Sequence, residues 1–172
     1  MQKDCWKQAS TSSSQPRIVL LVGLPGSGKS TYLRELGVTA ISSDAVRELL
    51  IDDATNQTIH GRVFASIRYL LRHRLLLRRA VSYVDATHLT IRDRRPYLAM
   101  GQLYDCQVEA LFFDVPVAVC KERNQSRTRV VPENVIDLLA ARLVVPTVAE
   151  GFYAVHRAIV KGPSPKGTPE SE

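Results

Sequence analysis

Gly23-Leu24-Pro25-Gly26-Ser27-Gly28-Lys29-Ser30-Thr31 follows directly on the apolar run Arg17-Ile18-Val19-Leu20-Leu21-Val22. The stretch has the form G-x-x-x-x-G-K-[ST], between an expected strand and an expected helix, the setting in which such a loop cradles phosphates. Gly23, Gly26 and Gly28 let the backbone curl so that its N–H groups point inward. Lys29 is placed to neutralise β- and γ-phosphates, and the Ser30 hydroxyl to ligate Mg²⁺. Pro25, Ser27 and Thr31 complete the loop, and the following helix adds its positive N-terminus. The expected ligand is ATP, or another nucleoside triphosphate, with Mg²⁺.

Length and composition bound what surrounds that loop. A chain of 172 residues is normally one domain with a sizeable core. Its 45% hydrophobic and 23% charged residues are ordinary for a water-soluble domain. No apolar run approaches the ~20 residues of a membrane span, and the first residues lack the apolar core of a signal peptide. Cys5, Cys106 and Cys120 are odd in number, widely spaced and without zinc-ligand spacing, which favours free thiols in a reducing compartment. The cytoplasm is the expected location, with no membrane partner.

The net charge of +6 is unevenly spread. Arg62, Arg68, Arg72, Arg74, Arg78, Arg79, Arg92, Arg94 and Arg95 share their segment with only Asp85 and Asp93. Such a field attracts polyanions, nucleic acid among them. Solvated helix faces would read the same way.

Residues 1–16 end in a Ser-rich run and are expected to form an N-terminal arm, and residues 162–172 are rich in Pro and Gly and read as a tail. Between them, over 17–161, apolar runs alternate with helical patterns, which implies an open, mainly parallel α/β sheet with helices on both faces. Helices are expected from the loop to about Leu36, with Gly37 closing it, and over Asp44–Leu50 with Ser43 as cap. A longer one should run from about Ile59 to Arg79 on an apolar stripe of Ile59, Val63, Ile67, Leu70, Leu71 and Leu75. Thr90, Pro116 and Pro132 should start three more, reaching about Leu103, Arg127 and Val145. Strands are expected at Val38–Ile41, Val81–Asp85, Val108–Phe113 and Ala158–Val160. Ligands then bind at the carboxyl ends of the strands.

Three acids fall just beyond expected strand ends. Asp85 closes Ser82-Tyr83-Val84-Asp85 and can support Mg²⁺, or cap the following turn. Asp114 is expected to cap the next helix. Asp44, in Ser42-Ser43-Asp44-Ala45-Val46-Arg47, can accept the proton of an acceptor hydroxyl, with Arg47 one turn later facing the same way. In Glu122-Arg123-Asn124-Gln125-Ser126-Arg127-Thr128-Arg129, Arg123 and Arg127 are spaced to share one helix face, where a lid could bring them onto the transferring phosphoryl group.

These residues, with Asp52-Asp53, Gln57-Thr58, Val84-Asp85-Ala86-Thr87 and Glu150-Gly151-Phe152, occur in order over about residues 17–155. The set resembles the polynucleotide 5′-kinase domain of bacterial polynucleotide kinase-phosphatases, a P-loop kinase with an Arg-bearing helical lid. The resemblance implies that Asp44 is the general base toward a 5′-hydroxyl of RNA or DNA and that Arg47 holds the acceptor-side phosphate. It further implies that Arg123 and Arg127 clamp the donor phosphates and that Gln57 lies on the acceptor side. The family often has Asn where His88 follows Thr87. Its bacterial members also carry phosphatase and ligase modules, which for a chain of this size implies separate phosphatase or ligase partners. Two other readings use the same loop: a small-metabolite or antibiotic kinase, and an NTP-dependent switch or assembly ATPase. Against the switch, no Asp-x-x-Gly follows a strand, whereas a base and an acceptor-side Arg are present.

Overall fold

The apolar run Arg17–Val22 forms strand β1 at the centre of the sheet, in a computed structural model that describes residues 15–127 and 129–159. Most of the expected arm and all of the expected tail lie outside the described residues. Ile18, Leu20 and Val22 enter one buried cluster while Val19 and Leu21 enter another. That double burial is why the run is apolar throughout rather than alternating.

After β1 come α1 (Lys29–Glu35), β2 (Ala40–Ser42), α2 (Ser43–Ile51), α3 (His60–Leu76) and β3 (Val81–Asp85). The chain continues through α4 (Ile91–Leu103), β4 (Gln107–Phe112), α5 (Val117–Gln125), α6 (Glu133–Arg142), a 3₁₀ turn at Val148–Glu150 and β5 (Ala154–Arg157). The strands lie in the order β2-β3-β1-β4-β5 and every neighbouring pair is parallel. The sheet is therefore the expected open parallel one. Parallel pairing brings the ends of β1, β2 and β3 to one edge, and with them the Gly-rich loop, Asp44 and Asp85. Among the described residues, no helix is long and apolar enough to cross a membrane.

Helices α2, α3 and α4 cover one face through Val46, the stripe Val63, Ile67, Leu71 and Leu75, and Tyr97 with Leu98. Helix α1 packs Leu33 on the other face. Gly37, at φ 65°, closes α1: its N–H donates to the Arg34 carbonyl, and that of Val38 to the Leu33 carbonyl. Thr90 caps α4 reciprocally with Asp93.

Several local expectations are corrected. Ser42, not Ser43, caps α2, because it keeps an extended backbone and accepts from the Ala45 N–H at 3.5 Å. Leu70 is 43% exposed, since Ile67 and Leu71 already fill its turn of the core stripe. Val160 of the expected Ala158–Val160 strand lies outside the described residues; among them the last strand is Ala154–Arg157, with Ala158 and Ile159 beyond its end. As an edge strand it tolerates polar side chains: His156 lies 3.5 Å from Glu109 and Arg157 is 2.9 Å from Asp114. Asp114 thus pairs across the edge instead of capping α5, whose N-cap is Pro116.

Two arginines of the basic segment are structural. Arg74 donates to Ser82 Oγ at 2.9 Å and to the Val81 carbonyl at 3.0 Å. Arg94 is fully buried, and its Nε and Nη2 grip Glu150 at 2.8 and 2.7 Å. Its Nη1 donates to the carbonyls of His88, Leu89 and Val144, so the guanidinium ties α4 to the segment leading into β5. Removing one partner of such a buried pair costs about 3–5 kcal/mol.

His88 is buried beside this pair, and its Nδ1 donates to the Leu21 carbonyl at 2.9 Å. Burial pushes its pKa down to about 4, against the hydrogen bond to Leu21, which favours the charged ring. Below the ordinary 6.5 the unfolded chain therefore binds a proton that the folded one refuses. Stability falls as pH drops from there toward 4, by at most about 1.4 kcal/mol per pH unit. His88→Asn should flatten that loss in urea melts at pH 7 and pH 5. Equal acid losses in both proteins would show that His88 is not the titrating group.

Candidate active site

The loop after β1 is shaped by contacts that leave no room for side chains. Gly26, at φ 81°, is pressed against the Cys120 carbonyl of α5, with which any Cβ would collide. The Gly23 N–H donates to the Thr87 carbonyl at 3.1 Å and that of Ser27 to the Leu24 carbonyl at 3.2 Å. Gly28 sits at the N-cap of α1 with φ 95°, and Pro25 lies half-buried between Leu24 and Gly26.

Lys29 turns back into this loop. Its Nζ donates to the carbonyls of Gly23 and Leu24 at 2.8 Å each and lies 3.4 Å from the buried Ser27 Oγ. Burial lowers its pKa to about 8, with the nearby Asp85 carboxylate pulling the other way. The Ser30 Oγ donates to Asp85 Oδ2 at 2.9 Å, while Thr31 faces outward on α1. Burial raises the pKa of Asp85, against Lys29 and the Ser30 hydrogen bond. A hydroxyl and a carboxylate side by side are the hard oxygen donors that Mg²⁺ takes, with phosphates and water filling the remaining positions. Among the described residues, no cluster of three His, Cys, Asp or Glu suited to a metal occurs.

Asp44, in the first turn of α2, lies close enough to Lys29 and Asp85 to influence both electrostatically. Its Oδ1 accepts from Arg47 Nη1 at 2.9 Å and pairs with Arg129 Nη1 at 3.2 Å. Arg47 is 3% exposed, and Nη1 also donates to the Ala54 carbonyl at 3.3 Å. Its Nε is buried with no partner among the described residues. The structure thus brings Asp44 and Arg47 together as expected. Gln57 is exposed and donates to the Thr55 carbonyl at 3.2 Å, with no hydrogen bond to Asp44 or Arg47 among the described residues.

The expected shared helix face for Arg123 and Arg127 is corrected. Helix α5 ends at Gln125, with Ser126 as its C-cap, so Arg127 lies on the turn beyond. Its charge still reaches the phosphate loop, where it disfavours protonated Lys29 and favours ionised Asp85. Arg123 influences the Cys120 thiol, whose residue packs on Gly26. Two further residues matter that the sequence pattern does not single out. Asn124 is buried and clasps the loop that follows α5, donating to the Val131 carbonyl at 2.7 Å and accepting from its N–H at 3.0 Å. Arg129 reaches Asp44 from the same loop.

A family model described as AAA domain matches residues 18–146. The bifunctional polynucleotide phosphatase/kinase of Schizosaccharomyces pombe is 25% identical over 154 residues, 87% of this chain and 35% of that protein. The chain thus spans about a third of that relative's length. Among solved structures, a chain of the Pnkp1/Rnl/Hen1 RNA repair complex is similar with a TM-score of 0.65 at 22% identity, covering 78% of this chain and 46% of that one. A putative kinase from Chloroflexus aurantiacus gives 0.61 at 19% identity, with 84% and 85% of the two chains covered. A gluconokinase from Sinorhizobium meliloti gives 0.58 at 19%, with 83% and 81% covered. The architecture is that of P-loop kinases.

The lowered pKa of Lys29 gives nucleotide binding a pH signature. Above about pH 8 the free protein loses the Lys29 proton, which a bound polyphosphate would restore. Calorimetry of ATP binding in buffers of different ionisation enthalpy should show proton uptake near zero at pH 7 and approaching one at pH 9. Lys29→Met should abolish the uptake; its persistence would assign the proton to another group.

Proposed function

The chain belongs to the AAA domain family, and on that premise we propose that it is an ATP-dependent kinase phosphorylating the 5′-hydroxyl of RNA or DNA ends. The observation that carries this reading is Asp44, a half-exposed carboxylate beside the phosphate loop with one oxygen held by the nearly buried Arg47. A switch or assembly ATPase has no use for a base paired to an anion-binding group on the acceptor side. The order of motifs shared with polynucleotide kinases and the similarity to the fission-yeast phosphatase/kinase support the polynucleotide acceptor.

In the proposed reaction, the loop N–H groups and Lys29 hold the β- and γ-phosphates of ATP. Mg²⁺, when bound near Ser30 and Asp85, would neutralise charge building on those phosphates. The acceptor oxygen bonds to the γ-phosphorus as the bond from that phosphorus to the β,γ-bridging oxygen breaks, and ADP leaves. The hydroxyl proton passes to Asp44. Arg47, held beside Asp44, binds the phosphate that follows the acceptor hydroxyl. Arg127 and Arg123 offset charge on the transferring group from the lid. A cytoplasmic setting belongs to this reading, as do separate phosphatase or ligase partners, which the likeness to a repair-complex chain supports.

Incubation with γ-labelled ATP, Mg²⁺, a 5′-hydroxyl oligonucleotide and a metabolite panel tests the acceptor. Label on the oligonucleotide 5′ end is expected; label on a metabolite alone would replace the acceptor and leave a kinase. Asp44→Asn should lower transfer about 10²–10⁴-fold with ATP affinity little changed. Parallel collapse of ATP binding would place Asp44 in the donor site instead.

The lid is tested separately. Arg127→Ala should slow transfer by up to about 10³-fold or more, the effect of an arginine finger. Arg127→Lys should rescue only part, because an ammonium lacks the planar two-pronged donor. Normal single-turnover rates in the alanine variant would show that Arg127 is a solvated surface charge with no part in the transfer.

A further inference from the structure

The basic segment separates, once folded, into two kinds of arginine. Arg74 and Arg94 are absorbed into the fold by the bonds described above. Arg62 and Arg72 on α3, and Arg92 and Arg95 on α4, remain exposed, while Arg68 of α3 is half-buried and near enough to Tyr97 of α4 to act on it electrostatically. None of these five forms an ion pair with an acid among the described residues. Helix α3 contains no acid at all. The one acid of α4, Asp93, is turned inward to cap Thr90.

Their positions oppose helix stability. Arg62 and Arg92 occupy the first turns of α3 and α4, where the helix dipole repels a cation. A solvated face chosen for stability would carry acids there. Exposed charges that break a local rule in this way mark a surface used for something else.

Topology places them beside the acceptor site. Helix α3 leaves the loop whose Ala54 carbonyl accepts from Arg47, and α4 leaves the turn after β3, so both begin at the edge that carries Asp44. The two helices cover one sheet face, α3 over β2 and β3 and α4 over β1 and β4, and share a core cluster through Val63, Ile67, Tyr97 and Leu98. Arg72 lies about 15 Å further along α3 than Arg62, at 1.5 Å per residue. Tyr69, 62% exposed, stands between them with its ring against His73.

We propose that the outward faces of α3 and α4 hold the acceptor single strand beyond its 5′ end. The arginines run along successive phosphates and Tyr69 offers a ring on which a base stacks. The inference rests on the polynucleotide reading above and adds to it a preference for length. Arg47 alone suffices for a nucleoside 3′-monophosphate, whereas this face engages only a longer strand.

The test compares the protein with its Arg62→Gln/Arg92→Gln/Arg95→Gln variant, circular dichroism and thermal melting confirming that the variant folds. All three positions are exposed, and removal of the first-turn cations should leave the melting temperature equal or higher. Anisotropy of a labelled 5′-hydroxyl dodecamer should show at least tenfold weaker binding. The slope of log affinity against log salt should be shallower by about 2, at about 0.7 for each single-strand phosphate that the variant no longer neutralises. The ratio of kcat/KM for the dodecamer to that for a nucleoside 3′-monophosphate should fall at least tenfold, and the triple Lys variant should restore most of it. Unchanged dodecamer affinity and an unchanged ratio would overturn the surface while leaving the kinase reading intact. Salt-dependent dodecamer binding that disappears in the variant, with no label ever reaching an oligonucleotide, would uphold the surface and overturn the acceptor reading.

Discussion

Lys29 carries its charge into a place where two backbone carbonyls and a hydroxyl receive it, and the arrangement around it follows from that constraint. A buried ammonium is costly unless hydrogen-bonded and offset by negative charge. The loop supplies the hydrogen bonds by curling its own carbonyls onto Nζ, which glycine at positions 23 and 26 permits. The compensating charge comes from Asp85 at the end of the neighbouring parallel strand, one pairing step from β1. The outcome is a cation whose pKa is depressed and which a polyphosphate would restore. An anion site has been built into the centre of the sheet edge.

The same loop fixes the lid. Because Gly26 lies against the Cys120 carbonyl, the first half of α5 cannot shift without moving the loop. The second half leads into the turn that carries Arg127, and Asn124 clasps that turn to Val131 with a donor and an acceptor bond. Arg127 is thus positioned by backbone contacts that run back to the loop it would serve. On the far side, the buried Arg94–Glu150 pair holds the segment entering β5 onto α4, with Val144 of the α6 exit among its carbonyl partners. Both ends of the lid are therefore anchored to the sheet, while the turn between them stays on the surface.

What can be read from the sequence follows from how local each signal is. The loop, β1, β3, the Gly37 closure and the start of α4 at Thr90 depend on neighbouring residues alone, and the structure keeps all of them. The pairing of Asp44 with Arg47 is likewise a one-turn relation. The failures involve partners distant in the chain. Arg94 reads as one surface charge among many because Glu150 lies 56 residues away. Strand β5 falls earlier than its apolar neighbours suggest because His156 and Arg157 find their counter-charges in Glu109 and Asp114, which no periodicity reveals. Asn124 carries no signal at all, since its value lies in burial. Arg129 is visible only as one more basic residue in a basic run.

Arg129 changes how the two halves of the site relate. Asp44 Oδ1 receives Arg47 from its own helix and Arg129 from the lid turn, so one oxygen is held from both sides. Oδ2 takes part in neither pairing, and in the proposed reaction it is the atom that faces the acceptor. A carboxylate pinned on one oxygen loses rotational freedom and presents the other in a fixed direction, which is what proton transfer in a confined geometry requires. The pin depends on the lid: if its turn swings away, Arg129 leaves and Asp44 keeps only Arg47. The position of the Asp44 carboxylate and that of the lid turn are therefore coupled through a single oxygen atom. An acceptor phosphate drawn to Arg47 and a donor phosphate drawn to Arg127 would then act on the same short segment of chain.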